Sequence, residues 1–292
     1  VKYVGVVTRK PRLPETAKLI AALADDERFE AIVIDPLLVD FRFLRHSDMA
    51  VVCSGEWDLN LLSHLIVRGT TGAEAATALL VRTLGDERSV DGLSRFTSGK
   101  SGKLLTTLRR WRNHVGVDSY VSFNAGIAKQ QLADVDGLDD FPILVKPVNG
   151  KHGKGVTKLN DLAAAEAFVT NWFVANPRTA LLMQPCLPFK REYRVMLMNG
   201  KIIGACRKKK YARRFAEDRA LGSKFIALEV ADLPACVCDA LKTCSDRGLL
   251  GVDVGVLDNE AYIIEENRSP EWSHMGDALG ADVAKLIVDQ LN

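Results

Sequence analysis

Asp253, Glu265 and Asn267 carry oxygen donors at a spacing that one β-hairpin could bring together. The mostly apolar stretches 249–250 and 261–264 read as two strands, and Leu257-Asp258-Asn259-Glu260 reads as the tight turn between them. Side chains alternate along a strand, so Glu265 and Asn267 should share a face while Glu266 points away. Two carboxylates and an amide oxygen form a set of hard donors. Such a set suits magnesium, which prefers oxygen and keeps positions open for phosphate oxygens. The bland alternative is an exposed polar stripe. The apolar neighbours Val252, Val254, Ile263 and Ile264 argue against it, because they half-bury the sheet. The first expectation is a chain that handles a nucleoside triphosphate.

Upstream, Ile143-Leu144-Val145-Lys146-Pro147 precedes Gly150-Lys151-His152-Gly153-Lys154-Gly155-Val156. A strand ending in lysine can aim its ammonium at phosphate, and a glycine-rich turn lets backbone N–H groups approach phosphate oxygens. The glycine order G-x-x-G-x-G fails the dinucleotide fingerprint. A solvated turn with incidental lysines stays open as the alternative. In Arg191-Glu192-Tyr193-Arg194-Val195, Glu192 and Arg194 share one strand face. They are either a surface ion-pair stripe of little energy or a ribose contact and a phosphate contact. Ser98-Gly99-Lys100-Ser101 imitates a phosphate loop, but Ser94 stands where that motif needs glycine. The basic run from Arg207 to Arg214 reads as a solvated loop or as an electropositive rim for an anionic substrate. It holds Tyr211 and is followed by Phe215, too few aromatics for base stacking, so nucleic acid is not expected as a partner.

These groups need a scaffold, and 292 residues can bury one of two or three units. The composition, 47% hydrophobic and 26% charged, is that of an ordinary globular chain. A net charge of +2 gives no global pull toward nucleic acid or membrane. No apolar run reaches membrane-spanning length, and six scattered cysteines without zinc spacing suit a reducing, cytoplasmic setting. The first residue is valine, so a few residues are expected to precede it. Strands are expected at 3–7, 31–34, 50–53 and 65–67 and helices at 14–24 and 71–84, the grammar of an open parallel sheet with covering helices. A break at 86–102 follows, then a helix at 103–114 and a strand at 141–147. Next come a helix at 161–174, a strand at 180–184 and a hairpin turning at Asn199-Gly200. Helices close the reading at 232–247 and 281–291.

In this order the motifs resemble the ATP-grasp superfamily, and within it the RimK-like carboxylate–amine ligases. The resemblance rests on Val145-Lys146-Pro147, the loop 150–156, Gln184-Pro185-Cys186-Leu187, Glu192-Tyr193-Arg194, Gly251-Val252-Asp253 and Glu265-Glu266-Asn267-Arg268-Ser269-Pro270. It covers about residues 95–292. It implies an α/β (α+β) ATP-grasp fold: an N-terminal open-sheet domain at 1–94, a lid-bearing subdomain at 95–185 and a metal-bearing subdomain at 186–292, the last two sandwiching ATP. It implies that Lys103 and Lys146 contact phosphates. The loop with Gly150, His152, Gly153 and Gly155 would close over them, His152 having no chemical role of its own. Gln184 and the backbone of Cys186 and Leu187 would hold adenine, and Glu192 the ribose. Asp253, Glu265 and Asn267 would hold magnesium, with manganese as a substitute. Arg194, Arg207 and Lys209 would act on the transferring phosphoryl group.

Two departures stand out. Pro185 removes a hinge N–H, so the adenine contact passes to Leu187 or a carbonyl. Arg268 stands where the family often has a small residue. With Ser269 it is expected to meet the substrate, Arg268 forking a carboxylate. The expected activity is ATP-dependent amide or peptide-bond formation through an acylphosphate, with an amino acid or peptide as the acid, an amine as its partner and dimers or tetramers unsurprising. A small-molecule kinase on the same scaffold, or a nucleotide- or RNA-binding module without catalysis, is the rival.

Overall fold

The strand–helix alternation of the first ninety residues folds into a parallel sheet. In the computed structural model, which describes residues 1–42, 51–85, 87–90, 102–133, 141–148, 155–177, 179–208, 225–244 and 247–291, β1 (Lys2–Val7) lies between β2 (Phe29–Ile34) and β6 (His64–Val67), parallel to both. The crossovers carry α1 (Pro14–Ala24) and a small antiparallel sheet of β3 (Asp40–Arg42), β4 (Val51–Ser54) and β5 (Trp57–Asp58). The strand expected at 50–53 therefore belongs to this side sheet and not to the parallel one. Helix α2 (Glu74–Leu84) starts three residues later than the periodicity suggests. Gly72 sits at φ +86°, outside helical space, and its N–H is taken by the Glu74 carboxylate at 3.1 Å.

After α3 (Gly102–Arg112), a second sheet forms in the order β7 (Tyr120–Ser122), β10 (Leu181–Pro185), β8 (Ile143–Pro147), β9 (Thr157–Leu159), antiparallel throughout. Helices α4 (Ala125–Ala133) and α5 (Leu162–Ala175) cover one face, burying Ala128, Leu132, Val169 and Phe173 against Ile143, Val145, Leu181 and Met183.

The third sheet has five antiparallel strands: β13 (Phe225–Leu228), β12 (Lys201–Lys208), β11 (Arg191–Met198), β14 (Leu249–Leu257) and β15 (Glu260–Asn267). Two hairpins build it. Asn199 and Gly200 turn the first with φ of 51° and 75°, and Asp258 and Asn259 turn the second with φ of 49° and 68°. Positive φ at both central residues matches the right-handed twist of the strands, which is why Asn-Gly and Asp-Asn stand there. Each hairpin contains one bulge, at Ile203 between Met196 and Leu197, and at Ile264 between Asp253 and Val254.

One face of this sheet is mostly apolar. Tyr193, Val195, Leu197, Leu250, Val252, Val254 and Ile263 pack under α6 (Ala235–Leu241). That helix is shorter than the expected 232–247, and it starts late because Pro234, at its N-cap, pushes the preceding Leu233 out of helical space to φ −67° and ψ 135°. The opposite face is divided. At one end Met196, Met198, Cys206 and Leu249 join Val4 and Val6 of β1 and Leu19 and Leu23 of α1, along with Trp272, Met275 of α7 (Ser273–Leu279) and Ile287 of α8 (Val283–Val288). At the other end the face is polar. Glu192, Arg194 and Asp253 stand there, in line with the apolar patch that fixes the N-terminal sheet.

Candidate active site

The polar end of the divided face gathers charge. Arg194 lies across from Asp253 in the ladder, and its Nε and Nη2 donate to Asp253 Oδ1 and Oδ2 at 2.5 and 3.0 Å, a two-pronged fork. Lys208 Nζ approaches Asp253 Oδ1 at 2.9 Å. On the other side of Asp253, Glu265 is its direct partner on β15, and Asn267 stands opposite Gly251. Glu265 is exposed, while Asp253 is buried at 7%. The Asn267 amide oxygen accepts the Ser269 N–H at 3.0 Å, which folds the following Ser-Pro segment back over the strand. Gly251 makes room for that fold. A Cβ on it would sit 2.7 Å from Pro270 Cβ and 3.3 Å from Arg194 Nη1.

Bulges decide which side chains reach this face. Read without interruption from its turn, the second hairpin would pair Asp253 with Ile264 and Val252 with Glu265. The extra residue at Ile264 shifts the count by one, so Glu265 and Asn267 join Asp253 and Glu266 turns away. The first hairpin behaves alike. An unbroken ladder from Asn199-Gly200 would set Arg207 opposite Glu192. The bulge at Ile203 sets Cys206 opposite Arg194 and Arg207 opposite Tyr193 instead. Arg207 is therefore exposed on the far side of the sheet from Asp253, and Lys208, two residues beyond Cys206, takes the place expected of it. Lys208 was hidden in the sequence because nothing there announces a bulge.

A second wall comes from the four-stranded sheet and α3. Lys146 Nζ donates to Gln184 Oε1 at 2.7 Å, and Gln184 Nε2 donates to Ser119 Oγ at 2.7 Å. The Gln184 amide thus holds the lysine in place. Burial pushes Lys146 down to about 8; the Glu265 carboxylate pulls against it, and Arg110 and Lys103 push the same way. Lys103 is likewise held below the ordinary lysine range by burial, again opposed by Glu265. These fields put both lysines and Glu265 around one space. Gly155, at φ +78°, closes the strand end, since a Cβ there would meet Pro147 Cγ at 2.8 Å.

The other expected residues fall as follows. The Cys186 N–H is spent on Pro142 O at 2.9 Å, so beyond Pro185 it is Leu187 whose N–H takes no bond among the described residues. Glu192 shares the face of Arg194, opposite Gly255. The Arg268 charge is felt at Cys244, together with those of Glu266, Arg109 and Arg110. Ser269 stays beside Asn267 through its backbone. Gly150, His152, Gly153 and Lys209 lie outside the described residues, as do residues 98–101.

Magnesium fits the donors that are present. Among the described residues no three His, Cys, Asp or Glu side chains form a closed cage. Two carboxylates and an amide oxygen cannot complete six ligands, and such a partial oxygen set is what a cation shared with phosphates and water uses. Arg194 and Lys208 already share Asp253, so a cation bound there would have to take an oxygen from one of them.

Comparison with known proteins bears on the same elements. A profile of the RimK-like ATP-grasp domain matches residues 112–291. A probable alpha-L-glutamate ligase 2 of Pseudoalteromonas atlantica is 25% identical over 175 residues, 56% of each chain. The chain spans about half the length of the curated relatives it matches. Among solved structures, a Chryseobacterium gregarium RiPP-associated ATP-grasp ligase in complex with ADP and a leader and core peptide superposes with a TM-score of 0.71. It shares 16% identity, covering 100% of this chain and 96% of that one. A RimK domain ATP-grasp protein of Sphaerobacter thermophilus gives a TM-score of 0.67 at 17% identity, covering 99% and 98%.

Proposed function

The chain belongs to the RimK-like ATP-grasp family and has the ATP-grasp fold, and from that premise we propose that it is an ATP-dependent carboxylate–amine ligase, forming an amide or peptide bond on an amino acid or peptide. One observation carries the reading. Asp253 and Glu265 face each other across β14 and β15 on the side where Arg194 and Lys208 gather, with Lys103 and Lys146 in the field of Glu265.

A carboxylate is a poor electrophile, and phosphorylation makes it a good one. The acid's oxygen attacks the γ-phosphorus of ATP and ADP leaves. The amine then attacks the carbonyl carbon of the acylphosphate and inorganic phosphate leaves, the amine's proton passing to solvent. Lys103 and Lys146 bind the nucleotide phosphates. Arg194 and Lys208, both tied to Asp253, supply fixed positive charge where the phosphoryl oxygens gain negative charge. Asp253, Glu265 and Asn267 would hold magnesium, which neutralises and orients the phosphates when bound. Leu187 offers its N–H to the adenine edge, and Glu192 faces the ribose. Residues 95–185 form the lid-bearing unit, residues 186–292 the metal face and residues 1–94 the wall on the acceptor side. The glycine loop at 150–155 excludes water that would hydrolyse the acylphosphate.

Hydroxylamine tests this. It intercepts an acylphosphate as a hydroxamate. The protein incubated with Mg-ATP, hydroxylamine and a panel of amino acids and dipeptides should yield a hydroxamate in step with ADP. ADP release with a phosphorylated acceptor and no hydroxamate would make the chain a kinase instead.

A further inference from the structure

The parity of the metal face depends on one extra residue at Ile264, and this bulge is held from outside the sheet. Strand β15 is an edge strand, and its outer edge is covered by the end of α3 and the residues after it. Ile263 N–H donates to Val115 O at 2.7 Å. One guanidinium then does two things. Arg110 Nη1 donates to the Ile264 carbonyl at 3.0 Å, and Arg110 Nε donates to Glu266 Oε1 at 3.2 Å. Arg109 binds the other Glu266 oxygen. The Glu266 side chain is 2% exposed and Arg110 11%. A buried carboxylate is costly unless paired, so this pair must serve something beyond solubility.

We infer that Arg110 and Glu266 are positioning residues that staple the Ile264 bulge and thereby set Glu265 and Asn267 on the face of Asp253. A bulged residue leaves the ladder locally unpaired and needs its polar groups satisfied elsewhere. Arg110 satisfies the carbonyl of the extra residue and grips the side chain two positions on, which fixes both sides of Glu265. Lysine could not replace it, because only the planar fork reaches both acceptors in a set geometry. The staple also ties the metal face to α3, the helix whose first turn carries Lys103. The inference rests on the metal reading proposed above.

The test uses the full chain and Mn2+ as a spin probe, titrated in the presence of ADP and followed by electron paramagnetic resonance. The double variant R110L/E266L replaces the buried ion pair by an apolar one and should keep the thermal midpoint near that of the wild type. Its Mn2+ affinity should nevertheless fall at least about tenfold, the range seen when groups that orient metal ligands are lost. Amide exchange across residues 260–267, which needs no metal, should accelerate at Ile264–Glu266. R110K, which keeps the charge, should give an intermediate loss of Mn2+ affinity and serves alone if the double variant does not fold. Mn2+ affinity within twofold of wild type in either folded variant overturns the inference. A wild-type protein that binds no Mn2+ with ADP removes the metal reading itself, and the staple with it.

Discussion

Individual side chains set the chemistry, and three of them make sharp predictions. Glu265 is exposed, so E265Q should fold like the wild type. It should still lose at least about 100-fold in ADP formation, because even groups outside the ligand set cost 10–100-fold when removed. D253N should lose as much, and in addition it leaves Arg194 and Lys208 without their shared carboxylate. Lys146 gives a pH signature. Its folded value is about 8, whereas an unfolded lysine titrates near 10.5. Between these values the unfolded chain holds more protons, so the cost of burying the charge is full below about pH 8 and is relieved as pH rises toward 10.5. Nucleotide phosphates favour the charged form. ATP binding should therefore take up a proton above pH 8 and weaken as pH passes that value, as calorimetry in buffers of different ionisation enthalpy would detect. K146R, charged throughout, should flatten the profile. Unaltered pH dependence in that variant would exclude Lys146 from the nucleotide site.

At the scale of elements, the two hairpins explain what the sequence disclosed and what it hid. Asn199-Gly200 and the turn at 257–260 were legible because only a few residue types accept positive φ at both central positions. Asp253 with Glu265 and Asn267 was legible as a set of donors. Their common face was legible only by assuming a register that the turn itself does not supply. The bulge at Ile264 creates that register, and the bulge at Ile203 is why Lys208 and not Arg207 reaches Asp253. Bulges answer to contacts from distant segments, here Arg110 on Ile264, so local pattern carries no sign of them. Gly251 offers a test of how tightly the face is built. G251A should destabilise by about 1–3 kcal/mol in urea unfolding, the usual cost of forcing a methyl into a filled space, because Pro270 stands 2.7 Å from the new carbon. A neutral change would mean that the Ser-Pro segment does not pack over this strand.

For the whole molecule, the alternation of strands and helices in the first ninety residues announced a parallel sheet, and three strands of it formed. The docking of that sheet on the divided face of the third was not announced. It depends on Trp272, buried to 2% in the core shared by both and stacked under the Arg68 guanidinium at 4.1 Å, while Arg68 Nη2 donates to Pro270 O at 2.9 Å. No periodic pattern joins residue 68 to residue 272. W272A should cost about 3–5 kcal/mol and should separate unfolding into two transitions in a calorimetric scan, the N-terminal sheet detaching first. One unshifted transition would mean the two sheets are not held through this residue. The account as a whole turns on one claim, that the Asp253–Glu265–Asn267 face and Lys146 together hold a magnesium-bound triphosphate. The direct measurement is calorimetric titration of the full chain with a non-hydrolysable ATP analogue, with Mg2+ and with EDTA, beside the E265Q/K146M variant. The account predicts binding that weakens at least about tenfold on removing Mg2+ and again in the variant; equal affinity in all of these titrations would contradict it.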